Sequence, residues 1–206
     1  MTDPRSSLPG VPASLVDRAK NILLTPKTEW PRIDAETTTV SRLITGYAVL
    51  LAAIAPIAML IGMFLTPYGS YITANIGFLI KILLVTYGIS LGTVLILGFV
   101  IDALASTFGA AKNNVQAMKL AVYSGTAFWV AAVILILPGL WWLWLIGGVG
   151  YGGFLLWQGL PILMRVPADK VQGYAAAAIG IWAVLFIILQ QVAWRIIWSG
   201  MVYGVM

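Results

Sequence analysis

The sequence has neither cysteine nor histidine among its 206 residues. Without cysteine the chain forms no disulfide, holds no iron–sulfur cluster and offers no thiol nucleophile. Without histidine it lacks the commonest general base and the commonest metal ligand, and a Ser-His-Asp triad is excluded. We therefore expect no cofactor, and we predict that the protein is not an enzyme.

Charge is also scarce. Charged residues make up 9% of the chain and hydrophobic residues 61%, whereas a typical soluble domain is roughly 25% charged. A water-soluble fold with so few charges would expose large apolar patches, and a bilayer removes that difficulty. The 12 basic residues exceed the 7 acidic ones, but they flank apolar segments, as membrane topology predicts. Nucleic acid is therefore not an expected partner.

Five apolar segments predict an all-α fold, a polytopic transmembrane bundle of five spans. They cover about residues 43–65, 76–101, 120–137, 140–164 and 174–194. Each is near or above the roughly 20 residues that cross the hydrocarbon layer of a bilayer. Pro138-Gly139 separates the third segment from the fourth and predicts a tight hairpin. The expected organisation is an N-terminal tail, residues 1–42, followed by a membrane domain, residues 43–206.

The tail contains a predicted amphipathic helix at about residues 14–24, capped by Ser14 and ended by Pro26. Five apolar residues share one face of this helix, whereas Arg18 falls on another; the five are Leu15, Val16, Ala19, Ile22 and Leu23. Two placements stay open: the helix lies in the membrane interface, or it packs on the end of the bundle. Trp30 is predicted to be an interfacial anchor that precedes a linker.

The distribution of basic residues predicts the orientation. Ten of the 12 lie in the tail or in segments on the same side of the membrane, and Lys81 and Arg195 lie on the other side. The positive-inside rule then places the N-terminus in the cytoplasm and, with five spans, the C-terminus outside. The expected location is the inner (cytoplasmic) membrane of a bacterium.

Lys81 and Arg195 are the candidate ligand-binding residues, because no acidic residue on their side offers either one a partner. If the second and fifth spans are neighbours, both cations can contact one lipid phosphate, with Gln191 adding a hydrogen bond. The alternative is that each side chain extends separately to the lipid headgroups.

Two pairs of glycines are spaced by four residues, Gly88 and Gly92 in the second segment and Gly148 and Gly152 in the fourth. Small residues at that spacing let helices approach closely, so both pairs are predicted to be helix-packing positions. Residues 148–153 also fit the pattern G-x-G-x-x-G. Because these glycines lie inside an apolar span, without the strand that a dinucleotide site requires, the match carries no such function.

Several stretches resemble the Yip1 family of multi-pass membrane proteins in its bacterial form. They are residues 18–24 with Pro26 and Glu29-Trp30, then 86–91, 119–126, 137–140, 159–161 and 166–174. The resemblance implies a five-span bundle with a cytoplasmic N-terminus and no catalytic motif. Eukaryotic relatives are associated with Rab GTPases, a role that a bacterial-type sequence does not inherit. Ala127 departs from the family, where proline is expected.

These observations predict a membrane-organising or adaptor protein that acts through helix packing, lipid contact or a partner complex. Its expected partners are membrane lipids, together with a membrane-protein partner or a second copy of the chain. Two alternatives stay open: a small transporter or lipid-moving protein, and an accessory subunit of a larger membrane complex.

Overall fold

The computed structural model describes residues 14–66, 69 and 75–202, and all regular secondary structure within them is helical. The first thirteen residues of the predicted tail and most of the loop after the first predicted span lie outside the described residues.

In the described part of the chain, five helices are long and apolar enough to cross a membrane, which confirms the predicted fold class. They are Val40–Phe64, Ile76–Phe108, Asn114–Ile136, Pro138–Leu163 and Val171–Ser199, and we call them the first to fifth spans. The fifth helix continues to Val202. Most differences from the predicted bounds lie at one end of the bundle, the end at which the third span begins. The third span, for example, begins six residues before the predicted bound. Polar residues such as Lys119 belong to the helix there but not to the apolar segment that predicted it.

The third span forms the centre of the bundle. It contacts the first, second and fourth spans along its length. The second span also packs on the first and the fifth. Side chains from Ala117 to Trp129 on the third span are all buried. Many are small (alanine, serine, glycine and threonine), and such residues let neighbouring helices come close.

Two of the spans contain a π-helical segment. The first contains a π-helical segment at Ile44–Ala48, and the fourth contains one at Leu145–Gly150. A π-helical turn widens the helix locally and is frequently found at functional sites. Both segments are therefore candidate positions for a binding site.

Two short helices cover one end of the bundle. The helix α1 spans Leu15–Leu24 and is capped by Ser14, whose Oγ accepts from the Asp17 amide at 3.2 Å. It packs on the third span, with Ile22 fully buried. Of the two open placements, the structure shows packing on the bundle.

A second short helix, α2, spans Pro26–Ala35 and packs on the fourth span. The sequence pattern predicted an anchor and a linker here and no helix. Pro26 opens α2 at a position where its missing N–H costs nothing. We call residues 14–39 the cap, the end of the bundle beneath them the cap end, and the opposite end the far end.

Candidate functional site

Arg18 lies at the centre of the cap. Its side chain is 4% exposed and forms ion pairs with both Glu29 and Glu36. Its guanidinium also lies over the Tyr123 ring, 5.5 Å from the ring centroid. The expectation that Arg18 falls away from the buried face of α1 is wrong, because the face of α1 that packs on the bundle meets carboxylates as well as apolar side chains.

Lys119 attaches the end of α2 to the third span. Its Nζ donates to the Ile33 carbonyl at 2.8 Å and to the Glu36 carbonyl at 2.6 Å. A cation is favourable at this position, since the last carbonyls of a helix lack partners within it. Lys119 therefore has a structural role in holding the cap.

Asp34 makes a second attachment between the cap and the spans. Its Oδ1 accepts from Gln116 Nε2 at 2.9 Å, and its Oδ2 accepts from Arg165 Nη2 at 3.3 Å. Gln116 belongs to the third span and Arg165 follows the fourth. These contacts hold the cap in a fixed position on the bundle.

A cavity of about 450 Å³ opens between the cap and the first span, and we call it the cap cavity. Its polar lining consists of two arginines, one carboxylate, two threonines and two tyrosines: Arg18, Arg42, Glu36, Thr37, Thr38, Tyr47 and Tyr123. The π-helical segment Ile44–Ala48 supplies Gly46 and Tyr47 to this wall.

The cap cavity has the donors and the charge to hold an anion. Arg42 is exposed and forms no ion pair with any described residue. Among the residues that line the cavity, the two positive charges of Arg18 and Arg42 exceed the one negative charge of Glu36 by one. Guanidinium groups recognise phosphate through paired hydrogen bonds. Among the described residues, no group of three or more histidine, cysteine, aspartate or glutamate side chains could hold a metal ion.

Trp30 is not an interfacial anchor, and that prediction is wrong. Its side chain is fully buried against the fourth span, where a Cβ built at Gly159 would lie 2.7 Å from Trp30 Cε2. The spacing of Trp30 and Ile33, both fully buried on α2, was the sequence signal for this buried helical face. The interpretation of Trp30-Pro31 as an anchor before a linker missed it.

The two glycine pairs have different surroundings. A Cβ at Gly148 would lie 3.0 Å from Phe128 Cα, and one at Gly152 would lie 3.2 Å from the Ser124 carbonyl oxygen, so both face the third span. At Gly88 and Gly92 a Cβ would meet nothing within 4 Å. Gly88 and Gly92 therefore make no close helix contact with the described residues of this chain, because both glycines face away from the neighbouring spans.

Lys81 and Arg195 lie on neighbouring spans at the far end. Phe78 and Trp198 bring the second and fifth spans together there, with ring centroids 5.7 Å apart. Arg195 and Gln191 are exposed and Lys81 is half-buried. Among the described residues neither Lys81 nor Arg195 forms an ion pair, and their shared phosphate contact stays a prediction.

A second cavity, of about 270 Å³, lies in the far half of the bundle, and we call it the far cavity. Its polar lining residues include Thr86, Ser90 and Gln190, whereas Lys81, Gln191 and Arg195 are not among its lining residues. Trp129 Nε1 donates to Ser90 Oγ at 2.9 Å, which satisfies one buried indole beside it.

Comparison with known proteins agrees with this architecture. A family model described as the Yip1 domain matches residues 20–190. The chain is similar to the inner membrane protein YohC of Escherichia coli strain K12, with 24% identity over 170 residues that cover 80% of this chain and 87% of YohC. YohC of Escherichia coli O6:H1 strain CFT073 matches to the same extent. No solved structure matches the chain. With five membrane-spanning helices and a match over most of its length, the chain belongs to the Yip1 family.

Proposed function

We propose that the protein is a non-enzymatic organiser of the bacterial inner membrane that binds anionic lipid headgroups at its cap end. The cap cavity carries this proposal, because the exposed Arg42 and the buried Arg18 both line it. The names of the relatives support the inner membrane as its location.

The occupant of the cap cavity is the phosphate of an anionic lipid. Arg42 donates to the phosphate, and the Thr37 and Thr38 hydroxyls add neutral donors from the end of the cap. Arg18 contributes positive charge, but its guanidinium stays engaged with Glu29 and Glu36. The cavity lies beside the start of the first span, so a headgroup there belongs to the leaflet on the cap side. By the charge distribution, that leaflet faces the cytoplasm.

The test is the amount of anionic lipid that stays bound when the full chain is extracted in mild detergent. Native mass spectrometry of Arg42→Gln should show about tenfold weaker retention of phosphatidylglycerol, because a hydrogen bond to a charged group contributes roughly 1.5–3 kcal/mol. Lys20→Gln is the matched control, since Lys20 is an exposed cation on α1 that does not line the cap cavity. Equal retention by wild type and Arg42→Gln would refute the proposal.

A second measurement separates lipid from soluble phosphate. If glycerol phosphate competes with phosphatidylglycerol at equal concentration, the cavity binds a soluble phosphate ester and the membrane-organising role fails. The adaptor role has its own test. A stoichiometric membrane protein, or a second copy of the chain, should then be recovered in the same spectra. The open faces of Gly88 and Gly92 are where such a partner would lie.

The far cavity favours one further candidate function, movement of lipid between leaflets. It places the Gln190 amide and two hydroxyl groups inside an otherwise apolar wall. If this candidate is correct, the chain reconstituted in vesicles should accelerate transbilayer movement of a fluorescent phospholipid, and Gln190→Leu should slow it. Vesicles with and without the protein that behave alike would exclude this function.

A further inference from the structure

A groove separate from the cap cavity lies on the outside of the bundle, between α2 and the fourth span. Its volume is about 310 Å³. We call it the side groove. Lys27 and Trp30 of α2 line it together with Trp157, Gln158, Pro161 and Ile162 of the fourth span. It shares no lining residue with the cap cavity.

Two buried polar atoms of the side-groove residues have no hydrogen-bond partner among the described residues. They are the Trp30 indole Nε1, a donor, and Gln158 Oε1, an acceptor. Trp30 is fully buried, whereas Gln158 is half-buried and reaches the groove by a flexible chain. An unpaired buried polar group costs roughly 1–3 kcal/mol, so two at one groove call for an occupant that pairs with both.

We propose that the side groove binds a phospholipid whose headgroup carries its own hydrogen-bond donor. The lipid phosphate accepts from the Trp30 N–H and faces the Lys27 ammonium group. The headgroup O–H or N–H donates to Gln158 Oε1. Both protein atoms are buried in this structure, so binding requires the Gln158 side chain to turn into the groove and make room for the headgroup.

The surroundings favour a lipid over a soluble ligand. Trp157 is 42% exposed on a helix that spans the membrane, so the groove opens sideways toward the acyl chains. Pro161 and Ile162 give it an apolar floor. Lys27 is exposed at the cap end, where the headgroups lie, and forms no ion pair with any described residue.

The decisive comparison uses two phospholipids of equal charge. Phosphatidylethanolamine carries N–H donors, whereas phosphatidylcholine has the same phosphate and no donor. Short-chain forms of each are titrated against the full chain in detergent, with the rise in melting temperature as the readout. Wild type should bind phosphatidylethanolamine about tenfold more tightly, as expected for one additional charge-assisted hydrogen bond.

The variants should give a crossed pattern. Gln158→Met should abolish the preference between the two lipids, because it removes the acceptor and keeps the chain length. Lys27→Gln and Trp30→Phe should weaken both lipids alike and leave the preference intact. Trp182→Phe is the matched control. Trp182 Nε1 is also buried and has no hydrogen-bond partner among the described residues, but Trp182 lines a different cavity, of about 40 Å³.

Three results would overturn the assignment. One is equal binding of the two lipids by wild type, and another is a preference that survives Gln158→Met. The third is binding of soluble phosphoethanolamine as tight as that of the diacyl lipid. If Trp30→Phe fails to fold, Lys27→Gln and Gln158→Met still decide the outcome. Arg42→Gln should not alter the preference, so failure here is separable from failure of the proposed function.

Discussion

Trp30 and Gly159 meet in the core so closely that no side chain fits between them. A Cβ at Gly159 would lie 2.7 Å from Trp30 Cε2 and 2.6 Å from Leu120 Cδ1. The Leu120 methyl group can move aside, but the indole is a rigid, fully buried ring. This contact holds α2 against the fourth span.

We therefore expect Gly159→Ala to destabilise the protein by about 1–3 kcal/mol, the usual cost of overpacking a core. The change should lower the melting temperature in detergent and mobilise α2. Gly88→Ala is the control, because a Cβ there meets nothing within 4 Å. Equal melting temperatures for the two variants would mean that Trp30 is not seated on Gly159.

Arg18 is expected to be the most costly charge to remove. Arg18→Met leaves Glu29, which is 1% exposed, and Glu36 without their shared partner. Breaking a buried pair from one side costs about 3–5 kcal/mol. Arg165→Met removes a pair with Asp34 in which the arginine is 71% exposed, so its cost should be only about 0–1 kcal/mol.

Chemical unfolding of both variants would check this ordering. The double change Arg18→Met with Glu29→Gln should recover part of the loss, because it neutralises the more deeply buried carboxylate. If Arg18→Met unfolds like Arg165→Met, the cap ion pairs contribute little to stability.

The sequence predicts the spans better than the cap, and the reason is physical. A span is a local feature: a long apolar run must cross the bilayer, and Pro138-Gly139 must interrupt it. The burial of Arg18 depends instead on Glu29, which lies on α2, and on Glu36, which directly follows α2. The position of Arg18 within α1 carries no information about those partners.

The cap cavity was missed for the same reason. Arg42 and Tyr123 are 81 positions apart in the sequence, and nothing in either segment indicates that they line one cavity. The π-helical segment at Ile44–Ala48 also has no apolar pattern of its own. By contrast, α2 was missed although its signals are local: Pro26 opens the helix, and the spacing of Trp30 and Ile33 marks its buried face.

The packing of α1 on the third span gives a third prediction. Ile22→Asp places a carboxylate in a fully buried position and should release the helix, seen as faster amide exchange across Leu15–Leu24. Val16→Asp should leave exchange unchanged, because Val16 is 70% exposed on the same helix. Similar amide exchange in both variants would show that the face of α1 that carries Ile22 does not hold the helix on the third span.

The orientation remains a prediction from charge. Five spans place the ends of the chain on opposite sides of the membrane, and ten of the 12 basic residues lie on the side of the N-terminus. An alkaline phosphatase fusion at Met206 should therefore be active, and a fluorescent-protein fusion at the same position should be dark. A fluorescent fusion in the cytoplasm would contradict the orientation.

The last prediction compares the two ends of the bundle as sites for anionic lipid. If Lys81 and Arg195 share one phosphate with Gln191, then Lys81→Gln and Arg195→Gln should each reduce the retained lipid. The double change should add little, since the two residues act on one ligand. Adding Arg42→Gln should reduce retention further and independently, because the cap cavity lies at the other end. Native mass spectrometry of the set measures both effects. If the amount of retained lipid changes with Arg42→Gln but not with Lys81→Gln or Arg195→Gln, the two far-end cations contact separate headgroups. Two cations that do not bind the same phosphate are not expected to retain a lipid through purification.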